Sequence, residues 1–142
     1  MTTQLILSLK AGIMAALAMT LLFYLASLVG LPKLAPTETL SRMLGLPTSI
    51  GWVLHLVMGL FWGILYVFVL ETRLKFGGPV VKGVVFGLVV FSVAQLGWNL
   101  MRRYMGVASP SKNTPLPILL CSIWGHTVYG IVAALVINEH QR

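Results

Sequence analysis

Long apolar stretches separated by short polar ones make up almost the whole chain. Four of them, at about 11–31, 51–70, 83–101 and 118–137, contain no Lys, Arg, Asp or Glu. Each is close to the roughly 20 apolar residues that a helix needs to cross the hydrocarbon core of a bilayer. The pattern therefore predicts an all-α protein, a bundle of four transmembrane helices forming a single domain over residues 1–142. The breakers agree with these limits. Gly30 and Pro32 stop the first run, Gly77-Gly78-Pro79 turns the chain between the second and third, and Pro115 and Pro117 introduce the fourth. Between the first two runs, Pro36 and Thr37 followed by ETLSRML read as a short amphipathic turn. Leu40, Met43 and Leu44 lie on one side of it, and Glu38, Ser41 and Arg42 toward the other. Such a segment belongs in the membrane interface.

Within the runs, small residues recur one helical turn apart: Gly12 and Ala16, Gly59 and Gly63, Gly83 and Gly87, Gly130 and Ala134. In lipid no hydrophobic drive pulls helices together, so the close backbone approach that such pairs allow supplies packing energy. They are expected to be the seams of the bundle. His55 precedes Gly59 and Gly63 at the same spacing, and His126 precedes Gly130 and Ala134. The two histidines are 71 residues apart, half of the 142 present. Laying 1–71 on 72–142 also sets Gly12 on Gly83, Ala16 on Gly87 and Leu25 on Leu96. This register predicts a tandem repeat of a two-helix unit. With an even number of spans in each half, the repeats would be parallel, related by an axis along the membrane normal.

Composition removes the alternative of a water-soluble helical domain. With 58% hydrophobic residues, 9% charged and a mean hydropathy of +0.92, the chain has too little polar surface to cover itself in water. We read the first span as retained, because Lys10 interrupts what would be the apolar core of a signal peptide. The formal net charge of +7 is ordinary for the flanks of membrane helices and gives no reason to expect nucleic acid. It does not orient the chain either. Lys10, Arg73, Lys75, Lys82 and Arg142 fall on the face of the termini and Lys33, Arg42, Arg102, Arg103 and Lys112 on the other, five against five.

Candidate chemistry is sparse. Cys121 is single, which excludes an internal disulfide and a CxxC site. Glu38, Glu71 and Glu139 lie at helix ends or in connections, so the spans hold no carboxylate pair for acid-base work. No phosphate loop, nucleophile elbow or zinc spacing occurs. The polar residues inside the spans are more informative. His55, His126, Gln95, Asn99, Tyr24 and Thr127 all fall in the half of the membrane opposite the termini. Polar groups in hydrocarbon are costly unless paired, so these six are expected to share a pocket, centred between the second, third and fourth spans.

Three readings of the histidines follow. They can be hydrogen-bonding glue between helices. They can be axial ligands of a b-type haem, which needs two ring nitrogens about 4 Å apart, twice a metal–nitrogen bond of about 2.0 Å. Or they can line a path for a small solute or protons. The first needs no cofactor and makes the protein a non-enzymatic structural or accessory component. Its partners would be the lipid bilayer and either a second copy or a larger membrane complex. Gly12, the HxxxGxxxGxxY run from His55 to Tyr66 and the GHTVYG run from Gly125 to Gly130 together resemble the YagU-like group of uncharacterised bacterial inner-membrane proteins. That resemblance extends over all four spans and implies a multi-pass protein of a bacterial inner membrane. It supplies no activity, cofactor or functional residue.

Overall fold

The computed structural model describes residues 2–73, 77–106 and 116–140, and among these it contains helices and no strand. Helix α1 is Thr2–Leu28, α2 is Pro36–Leu44, α3 is Thr48–Arg73, α4 is Pro79–Met105 and α5 is Leu116–Glu139. Four of them, α1, α3, α4 and α5, are long and apolar enough to cross a membrane, and only 22–39% of each apolar window is buried inside the bundle. The rest of that apolar surface faces outward, a stable arrangement in lipid and a costly one in water. The chain is a multi-pass helical membrane protein.

All four long helices extend past the charge-free limits read from the sequence. The largest difference is in α1, which starts at Thr2 and carries Lys10 within it. A lysine ends an apolar run without ending helical hydrogen bonding, since its long stem lets the ammonium reach toward water. Here Lys10 Nζ donates to His140 Nε2 at 3.4 Å, tying the start of α1 to the end of α5. At its other end α1 stops at Leu28, two residues before Gly30, whose φ of +84° places it in the left-handed region that favours glycine. Pro115, expected to introduce the last helix, lies outside the described residues, as do the basic Lys75, Lys112 and Arg142. Pro117 sits in the first turn of α5.

Around the bundle the order is α3, α1, α5, α4. Helix α1 packs on both α3 and α5, and α4 packs on α5. The α1–α3 and α4–α5 seams are built on the small residues. A Cβ added to Gly12 would stand 2.5 Å from the carbonyl oxygen of Gly59, and one on Gly63 would stand 2.5 Å from that of Ser8. In the second pair Gly83 and Gly87 meet Gly130 in the same way. The fourth side of the bundle, between α3 and α4, is closed by aromatic rings. Phe86 of α4 makes edge contacts with Tyr66 and Trp62 of α3 at centroid distances of 4.9 and 6.2 Å.

Helix α2 docks beside the start of α3. A Cβ on Gly51 would collide with the Thr37 carbonyl and the Ser41 hydroxyl. Ser41 Oγ lies 3.0 Å from the Thr37 carbonyl and 3.1 Å from that of Pro47, so the junction is held by hydrogen bonds from a buried side chain. Leu44 is exposed, and so are Lys33 and Arg42, which flank Glu38 at 3.3 Å each. An apolar side chain and a charged group open to the surroundings suit a segment lying at the interface.

Candidate functional site

Two polar layers lie at opposite ends of the bundle. The one away from the termini contains the histidines. The imidazole of His55, on α3, is buried, and its Nε2 stands 3.0 Å from Thr20 Oγ1 on α1. Thr20 in turn donates to the carbonyl of Ala16 at 2.8 Å. Because the single hydroxyl proton is used there, Thr20 accepts from His55, and the ring carries its proton on Nε2. His126, on α5, is half-buried and has the opposite tautomer, with Nδ1–H donating to the Ser122 carbonyl one turn earlier at 2.7 Å. The ring of Phe91 stands edge-on to it at 5.7 Å, as the ring of Trp52 does to His55 at 6.5 Å.

The remaining members of the expected pocket divide. Gln95 and Thr127 are half-buried. Tyr24 is 61% exposed, one residue after Phe23, which is 5% exposed and meets Gly125 of α5. A single residue step is about 100° around a helix, so the correct depth leaves Tyr24 facing away from the interior. Asn99 is also exposed, and its Oδ1 accepts a hydrogen bond from Arg102 one turn further along α4. Tyr24 and Asn99 thus lie on the outer surface, and each histidine has its own partners, Thr20 and Trp52 for His55, Ser122 and Phe91 for His126. A haem between the histidines would need both Nε2 atoms turned to iron. His126 Nε2 has no partner among the described residues, whereas His55 Nε2 is held by Thr20, so the ring would have to give up that bond to serve as a ligand.

Between the layers, Tyr129 of α5 sends its hydroxyl to the carbonyl of Gly59 on α3 at 2.6 Å, fully inside the bundle. The open edge of Gly59 makes that carbonyl reachable. The bond joins the helices that carry the two histidines.

The second layer, at the face of the termini, shows in the sequence only as charge at helix ends and in connections. Glu71 accepts from Lys82 Nζ at 2.9 Å through Oε1 and from the hydroxyl of Tyr66 at 3.1 Å through Oε2. Tyr66 is 1% exposed, and the Lys82 and Glu71 side chains are 16% and 21% exposed. A π-helical turn over Tyr66–Leu70 brings these groups together, with the backbone N–H of Glu71 bonded to the carbonyl of Tyr66. In a regular α-helix residues five apart point about 140° away from each other; the wider turn places Glu71 beneath Tyr66. Around the pair is a cavity of about 240 Å³, also lined by Gly77, Gly78, Pro79, Ala134 and Asn138. No cluster of three or more metal-ligating His, Cys, Asp or Glu side chains occurs among the described residues.

Residues 2–142 match a protein family described as a family of unknown function, DUF6789. No curated protein and no solved structure matches the chain.

Proposed function

We propose, for a chain that belongs to the DUF6789 family of unknown function, a non-enzymatic role: a small structural or accessory membrane protein whose intramembrane polar residues hold its own helices together. The observation that carries this reading is that each neutral imidazole has one N–H to place, and both are placed inside the bundle. His55 donates across to Thr20, and His126 donates to Ser122 on its own helix. Buried polar groups satisfied in this way contribute to packing, and an interhelical bond of this kind is worth about 1 kcal/mol. The outward-facing rings of Phe61 and Trp124 give a second copy or a larger complex an apolar surface to meet. We assign the protein to a bacterial inner membrane through its resemblance to the YagU-like group.

The internal repeat is part of the same proposal. Contacts correspond in pairs under the 71-residue shift: Gly12 with Gly59 and Gly83 with Gly130, Ala16 with Gly59 and Gly87 with Gly130. His55 meets Thr20 where His126 meets Phe91.

An absorbance spectrum of detergent-purified protein from haem-sufficient cells tests the reading. A colourless sample is expected, with His55→Ala and His126→Ala lowering thermal stability. A Soret band removed by either substitution would replace the structural role by electron transfer. Proton or solute flux into proteoliposomes that both substitutions abolish would replace it by a conduit.

A further inference from the structure

We infer that Lys10 and His140 form a pH-dependent latch between the start of α1 and the end of α5, closed while the His140 imidazole is neutral and opened when the ring takes up a proton on Nε2. The latch lies at the face of the termini, away from the histidine layer, and does not depend on the role proposed for that layer.

The neighbours of the ring fix its proton. His140 Nδ1 stands 3.0 Å from the Val136 carbonyl, one turn earlier, and its Nε2 stands 3.4 Å from Lys10 Nζ. A carbonyl oxygen only accepts, so Nδ1 carries a hydrogen; an ammonium only donates, so Nε2 is bare. Of the states open to an imidazole, the neutral Nδ1–H tautomer alone satisfies both contacts. A second proton, on Nε2, would set N–H against N–H and one positive charge against another. That proton has access. Both side chains are exposed, and His140 lies just past the end of α5 at Glu139, whereas His55 is buried. Imidazole is also the ordinary side chain whose charge changes between about pH 5 and 8.

The charges around the ring leave the repulsion standing. Helix α1, which packs on α5, carries Lys10 as its only charged residue. On α5 the nearest charge is Glu139, exposed and one step, about 100°, around the helix. Helices α3 and α4 bring Glu71, Arg73 and Lys82 to the same face of the bundle. Glu71 and Lys82 are bonded to each other at the cavity walled by Asn138, which is about 160° around α5 from His140, and Arg73 is exposed. Met1, Gln141 and Arg142 lie outside the described residues. The Lys10–His140 bond is the one side-chain hydrogen bond between α1 and α5 among the described residues. The backbone N–H of His140 reaches the Ile137 carbonyl at 3.2 Å and does not titrate. Acid therefore removes the tie between the two helix ends and leaves the end of α5 hydrogen-bonded. In the unfolded chain the ring takes its proton with no ammonium opposite, so the tie contributes at high pH and is lost as the pH falls through the imidazole range.

Unfolding of the full chain in detergent would be followed for the parent, Lys10→Met, His140→Ala and the double variant, at about pH 8 and at about pH 5. Comparing the four separates the Lys10–His140 coupling from any pH dependence that His55 and His126 contribute. At about pH 8 the coupling should change the unfolding equilibrium about twofold, the size expected of an exposed pair. At about pH 5 it should vanish or change sign, so that Lys10→Met no longer destabilises. A merely structural contact would give the same coupling at both. Nitrogen chemical shifts of the His140 ring in the parent, which need no variant to fold, should place the hydrogen on Nδ1 at about pH 8. No coupling at the higher pH, equal coupling at the two, or an Nε2–H tautomer at the higher pH would overturn the proposal.

Discussion

At the scale of single residues, the side chains that matter most are those whose one polar group has one partner. Thr20→Val removes the acceptor of the His55 N–H while keeping the shape of the side chain. It is expected to cost about 1 kcal/mol, read as a lower midpoint in thermal or denaturant unfolding in detergent. Tyr129→Phe, which deletes the bond to Gly59, should cost about the same by the same measurement. Of these partners only the histidines stood out in the sequence. Depth along a span can be counted from its ends, which put His55, His126, Gln95 and Thr127 in one half of the membrane. Angle around the helix axis is harder to read when nearly every position is apolar. Tyr24, expected in the pocket from its depth alone, is exposed, whereas Phe23 beside it is buried. Thr20 and Tyr129 were missed for a related reason: a hydroxyl in an apolar run does not announce a partner 35 or 70 residues away.

At the scale of elements, the spans were legible because composition alone decides them, and the small pairs were legible because glycine in an apolar helix has few uses besides close approach. The π-helical turn was not. Sequence patterns are read with a period of 3.6 residues, and a turn that holds one residue more shifts every later position out of phase. Glu71 accordingly read as a connection residue, while in the structure it faces inward to Tyr66 and Lys82. A double-mutant cycle tests this. In the parent, Tyr66→Phe should cost about 1.5–3 kcal/mol, the range for a hydrogen bond to a charged group. In a Glu71→Ala background, which has no acceptor for the phenol, Tyr66→Phe should cost close to nothing, and an undiminished cost would show that the Tyr66–Glu71 bond contributes no stability.

At the scale of the whole molecule, the four sides of the bundle are unequal, and one position in each half accounts for much of the difference. Ala11, Ala15, Met19 and Phe23 recur every four residues on the face of α1 whose last member meets Gly125 of α5. All four are buried, and the alanines add little bulk to the interior. Shifted by 71 residues, Ala15 becomes Phe86, which stands in the opposite side of the bundle between α3 and α4. There its ring meets Trp62, Tyr66 and, at 6.2 Å, Tyr129, so bulk rather than contact between backbones closes that side. The two substitutions at this pair of positions should therefore fail differently. Phe86→Ala empties the aromatic side and should destabilise by about 3–5 kcal/mol, the usual loss for a buried phenyl ring. Its partners would be left facing a cavity, and a filling substitution such as Phe86→Leu should recover most of the loss. Ala15→Phe forces a ring into a position that is already fully buried, so it should abolish folding or separate the helices. Equal tolerance of Phe at 15 and of Ala at 86, measured as thermal midpoints in detergent, would mean that the bundle is symmetric and that the ring of Phe86 does not set the width of its side.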